Sequence, residues 1–294
     1  MRFSVIIPTY HRAVQLDRCL AAIDRLRFPS DDMEVIVVDD ASAEVTRAQV
    51  SGSVRCRLRY VPARRRTGPA GARNAGAAEA AGQFLAFLDD DCIPDAAWLD
   101  AMHHAIERRP HETVLWGGRN TMFGSGPFVH ASQVLLDYLL DQANRDPERA
   151  TFFPSNNLVV AREAFLDIGG FDGGFPRAAA EDRDFCERWL ARGFRMVQVP
   201  DAVVAHEHRA GWDDFVRQHL GYGRGLAILN ARRAQRDSTV PRLQAPGYYL
   251  GLMAAGWRAG GPVQRRLAAT ALLGVTQVAT LVGYLDQRRR INEP

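Results

Sequence analysis

Short, continuously apolar runs alternate with stretches of helical periodicity along the first half of the chain. A continuous apolar run bounded by turn residues is typical of a buried parallel strand. Residues 13–26 have apolar side chains at helical spacing, and residues 73–81 are rich in alanine and end before Gly82. The apolar runs, interpreted as strands, are 3–7, 34–38, 57–61 and 84–88. This order predicts an α/β fold, with a mostly parallel sheet flanked by helices.

The second half of the chain has weaker signals and becomes helical near its end. The pattern indicates a helix at 182–192 and a helical region that begins at Trp212. Short strands are indicated at 114–118, 158–160, 196–199 and 202–205. We therefore expect two parts. An α/β domain covers residues 1–211, with halves 1–95 and 96–211, and a helical C-terminal extension covers residues 212–294.

Polar clusters follow three of the four predicted strands in the first half. Residues 9–12 (Thr-Tyr-His-Arg) follow the first strand, Asp39–Asp40 follow the second, and Asp89–Asp91 follow the fourth. Ligands of open parallel sheets bind beyond the carboxyl ends of the strands. The sequence therefore predicts a ligand site at this edge of the sheet.

The three aspartates at 89–91 are the first candidate for metal chemistry. Side chains alternate along an extended backbone, so we expect Asp89 and Asp91 on the same side. Two like charges held together are costly unless a cation neutralises them. Mg²⁺ and Mn²⁺ prefer such oxygen ligands. The alternative interpretation is an acidic loop that caps the next helix.

Two other acidic pairs each allow two interpretations. A carboxylate of Asp39 or Asp40 can accept a hydrogen bond from a ribose hydroxyl or a base N–H, but Asp-Asp-Ala-Ser is also a turn or N-cap sequence. Glu181 and Asp182 begin a predicted helix after a glycine-rich loop. A carboxylate there is a candidate general base, or a residue that is simply favoured by the helix dipole.

Two further segments carry groups that suit phosphate or metal. Residues 68–76 are small and open a helix, so their amides and Arg73 can approach a nucleotide or an acidic strand end. The segment is neither a P-loop nor a G-x-G-x-x-G motif. His206 and His208 share one face of a strand-like segment, a spacing that suits a metal ion, with a surface histidine pair as the alternative.

Charge and cysteine content exclude several classes of protein. There are 37 basic and 34 acidic residues, a net charge of +3, which gives no global case for nucleic-acid binding. Every basic residue is arginine, and this excludes mechanisms that need a lysine. The four cysteines form no C-x-x-C pair and no secretory signal is evident, so we expect reduced thiols and a cytoplasmic location.

An uncharged stretch at 267–285 lies between Arg265–Arg266 and Arg288–Arg290. Its length permits a membrane span, but its polar residues fall on one side of a helical wheel, which suits a helix on a membrane surface or a packed helix better. Three alternatives stay open: a span, a peripheral helix on the cytoplasmic membrane face, and a helix that packs in a core or a homodimer.

Taken in order, these segments resemble glycosyltransferase family 2, the inverting nucleotide-sugar transferases with the GT-A fold. The resemblance covers roughly residues 1–210, and the ordered set of motifs is specific although no single motif is. The residues that carry it are SVIIPTYHR at 4–12, EVIVVDDAS at 34–42, GARNAG at 71–76, FLAFLDDDCIP at 84–94, SNNLVVARE at 155–163, GGFD at 169–172, AEDRDFCERW at 180–189 and the segment around His206.

The resemblance implies roles for residues at the three polar strand ends, in the predicted helix at 182–192 and at His206. Asp91 would bind Mg²⁺ or Mn²⁺, with help from Asp89 and His206. Asp182 would be the catalytic base, with Glu181 beside it on the acceptor side. The residues implied to bind the nucleotide sugar are Pro8, Thr9, Tyr10, Arg12, Asp39, Asp40, Arg73, Asp89 and Asp90.

The acceptor side is less well marked. The run at 215–225 lies where processive members carry a Q-x-x-R-W element, but it lacks that Arg–Trp pair, which implies a non-processive enzyme. The residues expected on the acceptor side are Asn156, Trp189, Gln218, Tyr222 and Arg224.

The function implied by the resemblance is metal-dependent, inverting transfer of a sugar from a UDP- or dTDP-sugar to an acceptor hydroxyl. The apolar C-terminal stretch beside Arg288–Arg290 separately suggests a lipid-linked or membrane-bound acceptor. Two alternatives belong to other classes. A sugar-nucleotide nucleotidyltransferase is disfavoured because no glycine-rich phosphate loop follows the first strand. A non-catalytic binding module is disfavoured because Asp89, Asp91 and Asp182 are all retained.

Overall fold

The computed structural model of the protein describes residues 1–42, 50, 54–175, 179–207, 211–236 and 244–292. In this part of the chain one sheet is formed by β1 (Phe3–Thr9), β2 (Met33–Asp39), β3 (Arg57–Pro62), β4 (Phe84–Phe87), β5 (Cys92–Pro94), β6 (Val114–Phe123), β7 (Leu158–Ala161) and β8 (Arg195–Glu207). The described α-helices are α1 (Ala13–Ile23), α2 (Gly68–Glu79), α3 (Trp98–Glu107), α4 (Pro127–Ala143), α5 (Arg162–Asp167), α6 (Glu181–Ala191), α7 (Trp212–Arg236), α8 (Pro246–Arg258) and α9 (Val263–Asn292).

The sheet is parallel in the first half of the chain and antiparallel beyond it. Its strand order is β3-β2-β1-β4-β7-β6-β8-β5. β1 pairs in parallel with β2 and β4, and β2 pairs in parallel with β3. β7 runs antiparallel to β4 and β6, and β5 runs antiparallel to β8. The predicted α/β fold is therefore confirmed.

The register of the central strands sets the polar edge of the sheet. Thr9 pairs with Asp39, and Ile6 pairs with Phe87 three residues before Asp90. All seven residues of β2 are buried, as expected for a strand covered on both faces. The ends of β1, β2 and β4 consequently meet at one edge, where the sequence predicted a ligand site.

Helix α2 begins five residues earlier than the alanine-rich pattern indicated, at Gly68 instead of Arg73. Gly68 has a φ of +77°, in the left-handed region that glycine adopts at little cost. Pro69 follows in the first turn, where its missing N–H is not needed. Residues 68–76, which the sequence predicted to open a helix, are thus its first two and a half turns.

The chain divides into two compact units. The sheet-bearing unit comprises Met1–Thr121, Asn144–Pro176 and Asp182–His206, and the helical unit comprises Met122–Ala143, Arg177–Glu181 and Glu207–Pro294. The core of the first is built from the strands and from α1 and α3, with Phe3, Val35 and Trp98 among its fully buried residues. The second includes α4, from the middle of the chain, together with the C-terminal helices.

The helical unit has its own apolar core and a buried histidine. Val134 and Leu135 of α4 pack with Leu252 of α8 and Leu273 of α9. His219 of α7 is 2% exposed and lies against the rings of Phe215 and Tyr222. Neither ring nitrogen of His219 has a hydrogen-bond partner among the described residues, and burial lowers its pKa to about 4.

This histidine predicts a loss of stability in mild acid. Its imidazole is neutral in the folded protein until pH falls to about 4, whereas in the unfolded chain it takes up a proton near pH 6.5. The free energy of unfolding is therefore not reduced by this residue above pH 6.5. It falls by about 3 kcal/mol as the pH drops from 6.5 towards 4, because only the unfolded chain takes up the proton. Urea unfolding of wild type and His219→Leu from pH 7 to pH 4.5 measures it.

The His219→Leu protein should lose less stability than wild type over this range, because the variant has no proton to take up at this site. His111→Leu, which replaces an exposed histidine, is the matched control and should keep the wild-type pH dependence. Equal slopes for His219→Leu and wild type would contradict the assignment.

Candidate active site

Asp90 is held inside the protein by the end of β1. Its Oδ2 accepts a hydrogen bond from Thr9 Oγ1 at 2.8 Å, and its Oδ1 accepts one from Arg12 Nη1 at 3.0 Å. Burial raises the pKa of Asp90 to about 7 against the opposing effect of Arg12. His11, which precedes Arg12 in the chain, has a φ of +53°, a conformation that histidine and asparagine tolerate better than most residues. Asp90 thus fixes the chain at this edge, and its contact with the nucleotide sugar stays a prediction.

Asp91 lies between Arg12 and His206. Arg12 Nη1 donates to its Oδ2 at 2.5 Å, and His206 Nε2 lies 3.3 Å from its Oδ1. Burial acts to raise the pKa of Asp91, but His206 and Arg12 outweigh it and hold the pKa below its usual range. Burial likewise acts to lower the pKa of His206, and Asp91 outweighs it, so that pKa is raised.

Asp91 and His206, with Cys92, form a cluster of metal-ligating groups. One ligand atom from each residue lies within 4.8 Å of the other two, and Cys92 Sγ is 4.0 Å from Asp91 Oδ1. Cys92 and His206 are directly paired in the β5–β8 register, which brings them to the same side of the sheet. The 3.3 Å between the Asp91 and His206 ligand atoms suits two ligands that are each about 2.1 Å from one ion. The donor set therefore fits a divalent metal. His208, the other histidine of the predicted pair, lies outside the described residues.

Asp89 is paired with a buried arginine instead of with this cluster. Arg73 Nη2 donates to Asp89 Oδ1 at 2.5 Å, and the Arg73 side chain is only 2% exposed. The Arg73 guanidinium also lies 5.7 Å from the ring centre of Phe171. A buried charge requires such a partner, because an isolated one would lose its hydration without compensation. The side chains of Asp89 and Asp91 therefore have different partners, although both were expected at one ion.

Asp40 caps α2, and Asp39 fixes the loop after β2. Asp40 Oδ1 accepts from Thr67 N at 2.7 Å and Thr67 Oγ1 at 2.9 Å, and Oδ2 accepts from Gly68 N at 2.8 Å. Asp39 Oδ1 accepts from the amide and hydroxyl of Ser42, and Oδ2 accepts from Tyr60 Oη at 2.9 Å. Asp40 therefore caps a helix that begins 28 residues later in the chain, and the local turn is made by Asp39. Contact of Asp39 or Asp40 with the nucleotide stays a prediction.

Asp182 lies in the first turn of α6. Its Oδ1 accepts a hydrogen bond from Arg183 N at 2.8 Å. Burial raises the pKa of Asp182, Arg183 and Arg73 oppose the rise, and the charge of Asp89 adds to it. Asp182 is thus within electrostatic range of the Arg73–Asp89 pair, while its neighbour Glu181 accepts a hydrogen bond from Ala179 N at 2.7 Å. Ala180 has a φ of +71°, a left-handed conformation that strains alanine.

The sequence profile described as Glycosyl transferase family 2 matches residues 4–169, more than half of the chain. The protein belongs to this family. The matched region contains the ends of β1, β2 and β4 with the three consecutive aspartates, and it ends before Asp182 and His206.

Several family 2 relatives are similar over most of this chain. Validoxylamine A glucosyltransferase of Streptomyces hygroscopicus subsp. jinggangensis is 46% identical over 256 residues, which cover 74% of this chain and 60% of the relative. Pre-mycofactocin glycosyltransferase of Mycobacterium tuberculosis is 30% identical over 250 residues, which cover 83% of this chain and 50% of the relative. The chain thus spans about half the length of the mycobacterial relatives.

Solved structures share the fold of this chain over nearly its whole length. The mannosyltransferase PcManGT from Pyrobaculum calidifontis, in complex with GDP-Man and Mn²⁺, superposes with a TM-score of 0.64 at 22% identity, covering 99% of this chain and 86% of that one. TarS residues 1–349 from S. aureus, in complex with UDP-GlcNAc, superposes with a TM-score of 0.54 at 17% identity, covering 99% of this chain and 91% of that one. At these identities the likeness establishes the GT-A fold alone.

The predicted acceptor residues have different environments. The prediction for Trp189 is wrong: its side chain is 0% exposed, its Nε1 donates to Arg195 O at 2.8 Å, and it packs on Phe185. It is therefore a core residue. Asn156 is buried, and its Oδ1 accepts from Asn120 Nδ2 at 2.6 Å; its acceptor role stays a prediction.

The three predicted acceptor residues on α7 are described within the helical unit. Gln218 Nε2 donates to Tyr222 Oη at 2.6 Å, and Arg224 Nε donates to Asp286 Oδ2 at 2.9 Å. Arg224 thus holds α7 to α9. The acceptor role of all three stays a prediction.

Two residues near the strand ends, Cys92 and Tyr10, have contacts that the sequence did not reveal. Cys92 was treated only as a reduced thiol, although it follows Asp91 directly and faces His206; only the pairing of β5 with β8 reveals this. Tyr10 is covered by Arg66, whose guanidinium carbon lies 4.0 Å from the ring centre. Pro8 lies within β1, opposite Val38.

The buried Arg73–Asp89 pair predicts a large loss of stability when its cation is removed. Arg73→Met keeps an apolar stem but leaves the carboxylate without its partner, which should cost about 3 kcal/mol of the free energy of unfolding. Urea denaturation measures the change. Arg59→Met is the matched control, because Arg59 pairs with Glu79 on the surface, and it should cost less than about 1 kcal/mol. Similar losses in the two variants would contradict this view of Arg73.

Proposed function

We propose that the protein is a non-processive, inverting glycosyltransferase that moves a sugar, of hexose type, from a nucleoside diphosphate sugar to an acceptor hydroxyl. The observation that carries the proposal is the arrangement of carboxylates in a family 2 chain. Asp91 and His206 form a metal-ligating pair at one sheet edge, and Asp182 is electrostatically coupled to Arg73 and Asp89. A leaving diphosphate and a proton acceptor are what such a transfer requires.

The donor we propose is a UDP- or dTDP-sugar. Asp39 at the end of β2 is the carboxylate that would accept the N3–H of a uracil or thymine base. Thr9, Tyr10 and Arg12 would lie along the nucleotide, with Asp89 and Arg73 at the ribose. Two structural neighbours hold donors with different bases, GDP-Man and UDP-GlcNAc, so the base is the first point to test.

Asp91 and His206 would hold a divalent ion, Mn²⁺ or Mg²⁺. When bound, the ion supplies Lewis-acid neutralisation of the departing diphosphate, an effect of several kcal/mol. The PcManGT neighbour was solved with Mn²⁺, which supports the choice of ion. Arg12, which donates to Asp91, would share the charge of the diphosphate.

Asp182 would act as the base. Its pKa is raised by burial, which makes its carboxylate a stronger proton acceptor than an exposed aspartate. The acceptor oxygen attacks the anomeric carbon, a C–O bond forms, and the bond to the diphosphate breaks with its electron pair. Asp182 takes the acceptor proton in the same step, and a single displacement of this kind inverts the anomeric configuration.

Replacement of Asp182 by asparagine should abolish proton transfer while it keeps the size of the side chain. Turnover should fall by about 10²-fold or more, because a positioned base contributes ~10²–10⁴-fold. Donor affinity should stay within about twofold of wild type. Single-turnover assays with a radiolabelled donor measure the rate.

Glu187→Gln serves as the control, because Glu187 lies on the same helix, α6, outside the proposed machinery, and should keep wild-type turnover. Wild-type turnover in Asp182→Asn would remove Asp182 from the mechanism and leave the family membership intact.

Donor and metal binding should be mutually dependent, because the ion neutralises the diphosphate. UDP or dTDP should raise the melting temperature more with Mn²⁺ than with EDTA, by mass action, and more than GDP does. His206→Ala should lose most of the Mn²⁺-dependent part. His104→Ala, which removes an exposed histidine, should keep it. Equal shifts with and without Mn²⁺ would contradict a metal-assisted diphosphate site.

A further inference from the structure

The outer face of α9 is more apolar than its inner face. The side of α9 that packs into the helical unit buries Leu273 together with the smaller residues Ala269, Thr276 and Gly283. The outward side carries large aliphatic residues that are 44–64% exposed. They form what we call the apolar stripe: Val263, Leu267, Val278, Leu281, Val282 and Leu285. Exposed apolar patches of this kind mark sites of contact with a membrane or another protein.

A membrane-spanning position for α9 conflicts with its packing. By length and composition Val263–Ile291 could cross a bilayer. However, α9 lies directly on α7: a Cβ at Gly223 would be 1.9 Å from Thr280 O, and one at Gly283 would be 2.1 Å from Leu220 O. The Arg224–Asp286 ion pair joins the same two helices. A spanning α9 would carry this polar helix into the hydrocarbon at high cost.

Self-association through the apolar stripe is disfavoured by charge. The exposed arginines Arg288 and Arg289 follow the stripe directly, whereas Arg265 lies within its span and contacts His130 of α4 at 3.4 Å. A parallel pairing of two copies would set these arginines of one copy against those of the other. An antiparallel pairing would give them no free carboxylate on α9, because Asp286 is already paired with Arg224 and Arg290.

An anionic lipid surface complements both properties of this face. Residues 244–292 contain six arginines and a single carboxylate, Asp286, which is already paired with Arg224 and Arg290. The neighbouring helix α8 exposes Leu250 and Trp257, seven residues apart on one helix face. Tryptophan and arginine are the residues that anchor helices at the headgroup level.

We propose that the protein binds peripherally to anionic membranes through the apolar stripe of α9, with the helix lying in the plane of the surface and its terminal arginines on the lipid phosphates. The aliphatic side chains enter the boundary between headgroups and acyl chains, and the arginines supply the preference for negative lipids. The binding does not depend on the proposed transferase activity, and either can fail without the other.

Sedimentation of the full chain with phosphatidylglycerol or phosphatidylcholine vesicles tests the proposal. The protein should bind the anionic phosphatidylglycerol vesicles at low salt and bind them less as the salt concentration is raised. It should not bind the neutral phosphatidylcholine vesicles. Arg288→Gln combined with Arg289→Gln should weaken partitioning about 30-fold, since each basic residue near the surface contributes about fivefold. Leu281→Glu combined with Leu285→Glu should weaken it by about tenfold or more.

Leu166→Glu is the matched control, because Leu166 of α5 is 43% exposed and Leu285 is 44% exposed. This variant should bind like wild type, and circular dichroism checks that all variants keep their helices. The proposal would be overturned if the protein did not bind anionic vesicles, or if Leu166→Glu weakened binding as much as the α9 variants do. It would also be overturned if the bound protein resisted carbonate extraction, as a spanning helix does, or if light scattering showed a dimer that Leu281→Glu dissociates.

Discussion

The negative charge of three consecutive aspartates at the end of β4 has to be neutralised inside the protein, and two arginines from different elements do this. Arg73 comes from α2 and pairs with Asp89, while Arg12 comes from the loop after β1 and bonds to both Asp90 and Asp91. An unpaired buried carboxylate would cost several kcal/mol, so the positions of α2 and of the β1 loop are tied to this charge. The fold and the candidate site therefore depend on the same interactions.

Neutralisation by different partners gives the three aspartates different properties. Asp90, buried against Thr9 and Arg12, has its pKa raised to about 7, whereas His206 and Arg12 keep the pKa of Asp91 below its usual range. The anionic carboxylate is the form that binds a metal ion, so Asp91 is the better candidate for a ligand than Asp90. Asp40 has a comparable structural task at the neighbouring strand, since its cap fixes the start of α2 and with it the position of Arg73.

Helices that pack on a soluble core bury most of their large apolar side chains, whereas α9 exposes most of its own. Small residues such as Gly223 and Gly283 face inward and allow α7 and α9 to approach closely, and six large aliphatic residues of α9 face outward while Leu273 is buried. Amphipathicity therefore does not reveal which side of α9 is buried, because here the more apolar side is the exposed one. Close backbone packing takes the place of large side chains in holding the two helices together.

Local periodicity and the meeting of parallel strand ends were enough to predict the α/β pattern, the polar edge of the sheet and the candidates Asp89–Asp91 and Asp182. The prediction left out α3, although its buried residues recur at helical spacing, and it divided β8 at the exposed Pro200 and Asp201. Local patterns gave no sign of which carboxylate pairs with which cation, of the cap made by Asp40, of the pairing of Cys92 with His206 or of the burial of Trp189. Charge pairing and burial depend on neighbours that are far apart in the chain, and these come together only when the chain folds.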